Sequence, residues 1–362
     1  HCRRNDRIDL RHMKVLITGN MGYIGPVVAQ HLRSRHEGLE LIGFDTGFFA
    51  GCLADPREFP ERIFDRQVFG DVREMPREDL SGVDAVIYLA AVSNDPMGKE
   101  FEEATHAINA EAAASVARKA KEAGVKHFVF ASSCSVYGFA EEGAKTEESD
   151  LNPLTAYARS KIEGEKLLHP LADSEFQVTS LRFGTACGWS PRIRLDLVLN
   201  DFVACALALE KIEILSDGTP WRPLIHVRDM ARAMDWALDR QPRGEDAFLT
   251  VNIGSDRWNF QVRDLAHAVQ EVDPSIQVLI NENSSPDGRS YRVDFERFRT
   301  LAPDHQPAEV LEDAIHEIYR NLSDLGFCDA AFRQSNYIRL KVLKELVGQQ
   351  GLQRNLAYSP NP

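Results

Sequence analysis

The sequence predicts an α/β protein: a doubly wound parallel sheet carrying a smaller C-terminal α/β lobe. Three features support this. Short aliphatic runs alternate with helical stretches through the first half of the chain, which is the pattern of a parallel sheet covered by helices on both faces. The runs lack polar alternation, so the strands they form are buried on both sides. After about residue 184 the alternation becomes irregular, which marks a second, differently built region.

The runs Val15–Thr18, Leu41–Phe44, Gln67–Phe69, Ala85–Leu89, Phe128–Ala131 and Val178–Arg182 are read as strands in order, with helices over Pro26–Arg35, Glu102–Ala123 and Ala156–Leu168 between them. Right-handed crossovers then wind the sheet in both directions. Further on, a helix at Asp196–Leu209 precedes a strand at Glu213–Leu215 and a turn at Asp217-Gly218. Strands at Leu224–Val227 and Thr250–Ile253 flank a helix at Met230–Leu238. Helices at Val262–Val272 and Val310–Leu322 and a strand at Tyr291–Val293 complete the pattern, and the Pro/Gly/Ser-rich piece Asn281–Gly288 is a loop. The expected organisation is one domain over 13–184 with returning segments at about 224–254, a lobe over 185–223 and 255–345, and an extension over 1–12.

Composition bounds the function. At 362 residues, 43% hydrophobic and 27% charged, the chain reads as an ordinary globular protein with a large core. There are 42 basic and 55 acidic residues, a net charge of −13, which gives no basic footprint for nucleic acid. No apolar run reaches 18 residues, so no membrane helix is expected. The six cysteines are far apart and form no C-x-x-C pair, so they read as reduced thiols of a cytoplasmic protein. The first twelve residues are polar and lack the apolar core of a secretory signal. His106, His127, His226 and His267 have no ligand spacing, so no catalytic metal is expected.

The first strand runs into Gly19-Asn20-Met21-Gly22-Tyr23-Ile24-Gly25, with glycines three residues apart. At a strand-to-helix junction such glycines permit a tight turn, a close backbone approach to a pyrophosphate and close helix packing, while the helix N-terminus attracts the anion. Asp45 ends the second strand twenty residues later, where a carboxylate can accept bonds from both hydroxyls of an adenosine ribose and would repel a 2′-phosphate. NAD is therefore the expected cofactor. Asp71, followed by Val72, either meets the adenine amino group or caps a turn.

A second group of residues points to chemistry. The fifth strand ends in Ser132-Ser133-Cys134-Ser135-Val136-Tyr137-Gly138, and Tyr157 and Lys161 stand one turn apart on a later helix. A tyrosine is a weak base near its ordinary pKa of about 10, and a nearby ammonium, or the positive ring of an oxidised nicotinamide, favours its phenolate. Ser93-Asn94-Asp95-Pro96 follows the fourth strand at its carboxyl end: Ser93 and Asn94 either reach the nicotinamide or sugar, or form an Asx turn. Asn109 either bonds backbone near the same place or is helix surface.

TGNMGYIG (18–25), Leu89-Ala90-Ala91, SSCSVYG (132–138), YARSK (157–161) and DGTPWRPLIHVRDM (217–230) together resemble the extended short-chain dehydrogenase/reductase superfamily, in its branch of nucleotide-sugar epimerases and dehydratases. The likeness covers about Met13 to Phe298 and implies a Rossmann domain with a substrate-binding lobe. It implies Tyr157 as acid/base, Lys161 on the nicotinamide ribose, and Ser133 as third member because it lies three residues before Val136, with Ser132 and Ser135 as alternatives. It also implies a cofactor site along residues 19–25 and 89–91, and a nucleotide-sugar substrate whose diphosphate meets Asn200, Arg222 and Arg289. Cys187, Trp189 and Arg192–Arg194 either line the pocket mouth or pack elsewhere. Two departures matter. Thr185 stands where many relatives have Asn, and Cys134-Ser135 replace the Asp-Glu pair that 4,6-dehydratases use to eliminate water. The expected reaction is therefore NAD-dependent 4-epimerisation through a 4-keto sugar, which needs only Ser133, Tyr157 and Lys161. An NAD(P)H-dependent keto-sugar reductase is the alternative, followed by a 4,6-dehydratase and then by a non-enzymatic NAD-binding protein on the same fold. The helices at Glu102–Ala123 and after Tyr157 match the pair that relatives use to form a homodimer.

Overall fold

The computed structural model describes residues 12–140, 143–240, 246–284 and 290–359. Most of the expected 1–12 extension, Cys2 and Arg289 lie outside them. The sheet begins with β1 (Lys14–Thr18), β2 (Glu40–Asp45), β3 (Arg66–Phe69), β4 (Ala85–Tyr88) and β5 (His127–Ser133). A two-residue β6 (Ala144–Lys145) interrupts the series before β7 (Gln177–Phe183). In space the large sheet has seven strands, β3-β2-β1-β4-β5-β7-β11, with β11 spanning Phe248–Ile253. Every pairing in it is parallel. The order reverses at β1, between β2 and β4, and in open α/β sheets the cleft for a ligand opens at the carboxyl ends beside such a reversal.

Alternate residues of β1 feed two cores. Val15 and Ile17 pack with Val28 and Leu32 of α1 (Gly25–Arg35), on the face that continues into the second lobe. Leu16 joins Ile42, Phe44, Val86 and Phe128 on the other face. That face is covered by α2 (Asp95–Glu100), α3 (Glu102–His106), α4 (Ala113–Glu122) and α5 (Ala156–Leu168). The single helix expected over Glu102–Ala123 is instead α3 and α4 joined by a π-helical stretch, Ala107–Ala112. Its cause is tertiary. Asn109 donates to the Val92 carbonyl and the Ser160 hydroxyl, both at 3.0 Å, and accepts from the Val92 N–H at 2.9 Å. Widened turns of this kind often mark functional sites.

The second lobe contains β8 (Thr185–Cys187), α6 (Val198–Leu209), β9 (Lys211–Ile214) and β10 (Trp221–His226). Helix α7 (Val227–Leu238) packs back against α1, then β12 (Asn259–Gln261), α8 (Val262–Val272), β13 (Gln277–Ile280) and β14 (Arg292–Val293) follow. The strand expected at 224–227 lies in a separate three-stranded sheet, β12-β10-β8, and only β11 of the returning segment joins the large sheet. The chain continues through α9 (Glu296–Leu301) and α10 (Leu311–Asp324) and closes on α11 (Arg339–Gly348), which returns to the first domain.

Among the described residues no helix is long and apolar enough to cross a membrane, and no group of side chains could hold a metal ion. The five described cysteines are free thiols. The outward side of α3–α5 is charged, with an Arg159–Glu102 ion pair at 2.8 Å and His106 beside Glu111.

Candidate active site

The carboxyl ends of β1, β2, β4 and β5 open into one cleft of about 580 Å³, within the usual size of small-molecule sites. Gly19, Gly22, Tyr23 and Ile24 line its floor. Gly19 has φ +69°, and a side-chain carbon there would meet the Ala90 nitrogen at 2.7 Å and the Leu89 carbonyl carbon at 2.9 Å. Both obstacles are backbone, so neither can swing aside. Gly19→Ala is expected to lower stability by about 2–4 kcal/mol, combining a left-handed Ala with an overpacked contact. Urea denaturation of both proteins measures this. Asn20, Met21 and Gly25 lie just behind the lining. Asn20 is buried and donates to Gln67 at 2.7 Å, and Gly25 opens α1 ahead of Pro26, which suits a first helical turn.

Asp45 accepts from the N–H groups of Met21 at 3.0 Å and Gly47 at 2.7 Å, which fixes its carboxylate at the cleft wall. Burial raises its pKa, and the Gly47 and Met21 N–H groups oppose that rise. Asp71 and Val72 also line the cleft. Asp71 caps its own turn, accepting from the Arg73 N–H at 2.9 Å, and pairs with the Arg73 guanidinium at 2.5 Å. Leu89, Ala90 and Ala91 form the rim after β4.

Tyr157 and Lys161 enter from the first turn of α5. Thr155 caps that helix, accepting from the Ala158 N–H at 3.1 Å and donating to Asp95 at 2.7 Å. The Ser160 hydroxyl donates to the Tyr157 carbonyl at 2.7 Å, which ties the turn to Asn109. Ser133 faces the Tyr157 phenol and lowers its pKa. The Lys161 ammonium lies 5.6 Å from the Tyr157 ring centre and 4.9 Å from that of Phe130, and donates to the Ala131 carbonyl at 2.7 Å.

The electrostatics differ from the sequence expectation. Burial pushes the Tyr157 phenol up to about 12, against the pull of Ser133. Burial also pushes Lys161 down to about 7, partly opposed by Glu165. Desolvation is the largest influence on each group and penalises both charged forms, so in the cofactor-free chain the ammonium does not make the phenol acidic.

On the sugar side, Ser93, Asn94, Ser135, Thr185 and Arg222 all line the cleft. Asn94 caps α2, accepting from the Met97 N–H at 2.9 Å, and also donates to Asp196 at 2.9 Å. Arg194, reached by the sequence only as part of a possible pocket mouth, is central: it forks onto Asp196 with two 2.9 Å bonds and donates to Ser93 at 2.9 Å. Burial opposes charge on both members, but each holds the other ionised, Arg194 above and Asp196 below its ordinary pKa. Arg222 donates to the Trp221 carbonyl at 2.9 Å. The Ser135 hydroxyl oxygen is buried without a protein partner.

One expectation changes. Asn200 does not line the cleft. It is fully buried, accepting from the Gly188 N–H at 3.1 Å and donating to the Arg194 carbonyl at 2.9 Å and the Tyr23 hydroxyl at 3.1 Å, so it shapes the loop that carries Arg194. Of the residues left open between pocket mouth and packing, Arg192 is buried against Glu61 and Cys187 in the core. Arg289 lies outside the described residues. The sequence did not reveal Tyr291, Arg339, Leu343 or Leu356, which also line the cleft. They come from segments with no motif, and nothing local distinguishes them.

A doubly wound sheet with a glycine-floored cleft, an acidic residue ending β2 and a Ser-Tyr-Lys group at the opposite end defines a dinucleotide-dependent enzyme site. The NAD dependent epimerase/dehydratase family model matches residues 15–254, and the chain belongs to that family. The cofactor is accordingly NAD. The cleft fits such a group: its floor is backbone that a side chain would fill, and an unpartnered hydroxyl lies buried at its wall. The chain is 30% identical over 275 residues to a UDP-glucose 4-epimerase of Streptomyces lividans, covering 72% of this chain and 80% of that protein. It is 30% identical over 256 residues to an uncharacterised UDP-glucose epimerase of Bacillus subtilis, covering 67% and 77%. Among solved structures, MoeE5 in complex with UDP-glucuronic acid and NAD superposes with a TM-score of 0.73 at 26% identity, over 86% of this chain and 99% of that one.

Proposed function

We propose that the protein is a nucleotide-sugar 4-epimerase, with a nucleoside diphosphate sugar as substrate. The observation that carries this reading is the pairing of Tyr157, Ser133 and Lys161 with a Cys134-Ser135 step that offers no elimination acid or base. Cys134 is fully buried, donates to the Arg182 carbonyl at 3.1 Å, and is driven far above the ordinary thiol range by burial. It cannot protonate a leaving hydroxyl.

NAD supplies the acceptor and donor of hydride. Gly19, Gly22 and the α1 N-terminus would hold its pyrophosphate, Asp45 its adenosine ribose, and Lys161 its second ribose. Tyr157 would act as its phenolate, the form that the positive ring of an oxidised nicotinamide favours, taking the proton of the sugar 4-hydroxyl as the 4-keto sugar forms and returning it after the sugar has turned over. Ser133 holds the same oxygen through its hydroxyl. Arg222 meets the diphosphate. Asn109 and Thr155 position the helix that bears the Tyr-Lys pair, and a homodimer through α3–α5 accompanies this reading.

A panel of UDP-, dTDP-, GDP- and CDP-sugars tests the proposal. Inversion of one sugar with no net change at 340 nm is expected. Stoichiometric consumption of reduced cofactor would instead identify a reductase, and loss of water a dehydratase.

A further inference from the structure

We propose that the C-terminal segment 339–358 is the outer wall of the adenosine end of the cleft and keeps the dinucleotide resident through turnover. The inference rests on the cofactor placement just given.

After α11 the chain reverses at Gln350, a residue at φ +61°, and a bridge between Leu352 and Tyr358 closes a small loop. This loop is fastened to two of the segments that would meet an adenosine. The Tyr358 hydroxyl donates to the Thr46 carbonyl at 2.5 Å, next to Asp45, and its ring packs edge-on against Phe48 at 5.4 Å. Arg73, while paired with Asp71, donates to the Asn355 carbonyl at 2.7 Å and the Leu356 carbonyl at 3.1 Å. Helix α11 is fastened separately, by Lys344 to Glu100 of α2 at 2.9 Å and by Arg339 to the Arg192 carbonyl at 2.7 Å.

Between these anchors Leu343 and Leu356 face inward. Both are buried, both line the cleft, and both pack in the same core as Val72. Leu356 does so at φ +60°, a conformation that a leucine keeps only when its surroundings impose it. The segment thus roofs the loops after β2 and β3 and the helix after β4, where the first half of a doubly wound sheet holds the adenosine. It lies beyond residue 254, where the family match ends. A reaction that returns its hydride has no need to exchange cofactor, and with this wall in place the adenosine cannot leave sideways.

The test compares the full chain, a chain ending at Gln350, and Leu356→Gly, each freed of cofactor and titrated with NAD and with ADP. Glycine accepts φ +60° readily, so Leu356→Gly removes the wall while suiting the backbone, and it decides the matter if the shortened chain does not fold. Both ligands are expected to bind at least ~10-fold more weakly to both altered proteins, mainly through faster dissociation. Unchanged binding in Leu356→Gly would overturn the proposal. So would weakened NAD binding with unchanged ADP binding, because the wall would then act elsewhere. If the full chain bound neither ligand, the cofactor placement itself would fail, and the wall with it.

Discussion

Tyr157→Phe is expected to lower turnover of the protein's nucleotide sugar by roughly 10²–10⁴-fold, the usual range for removing a positioned acid/base. The variant should fold and hold NAD as the parent does. In the cofactor-free chain burial holds the phenol near 12, so it is neutral at pH 7 and folding loses no charge with the hydroxyl. The remaining ring still fills its place beside α2, where Gly98 leaves room: a side-chain carbon there would meet the Tyr157 nitrogen at 3.1 Å. The missing group is the hydroxyl assigned to carry the proton, which faces Ser133. Steady-state rates, together with the NAD content of the purified variant, measure both halves of the expectation. Turnover within twofold of the parent would remove Tyr157 from the chemistry.

Lys161→Met should separate function from stability in the opposite sense. Lys161 is buried and its pKa is depressed to about 7 from 10.5. Between those values the unfolded chain holds a proton that the folded one releases, so this residue makes stability rise with pH from about 7 to 10.5. At pH 7 and below the burial cost is fully present, up to roughly 5 kcal/mol. Methionine removes that cost but also loses the bond to the Ala131 carbonyl and the contact with the Phe130 ring. A net gain of about 1–3 kcal/mol at pH 7 is expected in cofactor-free protein, shrinking toward pH 10. Turnover should fall at least ~100-fold, because the proposed ribose contact and a cation beside Tyr157 would both be lost. Urea denaturation at pH 7 and pH 9.5 measures the first effect and steady-state kinetics the second. A variant less stable than the parent at pH 7 would contradict the assigned burial cost.

The sheet was legible because its central strands are buried on both faces, so Val15–Thr18 and Ala85–Leu89 stand out as apolar runs whatever surrounds them. The glycine turn, Asp45 and the Tyr-Lys pair were legible for a related reason: each sits at an element boundary fixed by local chemistry. What was hidden depends on contacts between distant segments. The break in the helix over 102–123 is made by Asn109 reaching Val92 and Ser160. The Arg194-Asp196 fork gains its place in the cleft from Ser93 and Asn94, a hundred residues earlier. Asn200 sits on a helix facing the right way but one layer too deep, and its carboxamide is used by Gly188, Arg194 and Tyr23. Residues 349–359 carry no motif, and only their contacts with Thr46 and Arg73 tie them to the cleft. In the cofactor-free chain the pKa directions of Tyr157 and Lys161 follow burial, which a sequence does not display.

The central claim is that hydride leaves carbon 4 of the sugar and returns to the same carbon, with Tyr157 moving only the hydroxyl proton. Following turnover of the protein's nucleotide sugar by NMR in deuterated water tests this most directly. The account predicts a product inverted at carbon 4 that keeps its carbon-bound hydrogens, with no deuterium at carbons 4 or 5 and no reduced cofactor accumulating. Deuterium at carbon 5 together with loss of the 6-hydroxyl would contradict it, because a proton would then have been taken from carbon by a base that the Cys134-Ser135 step does not provide.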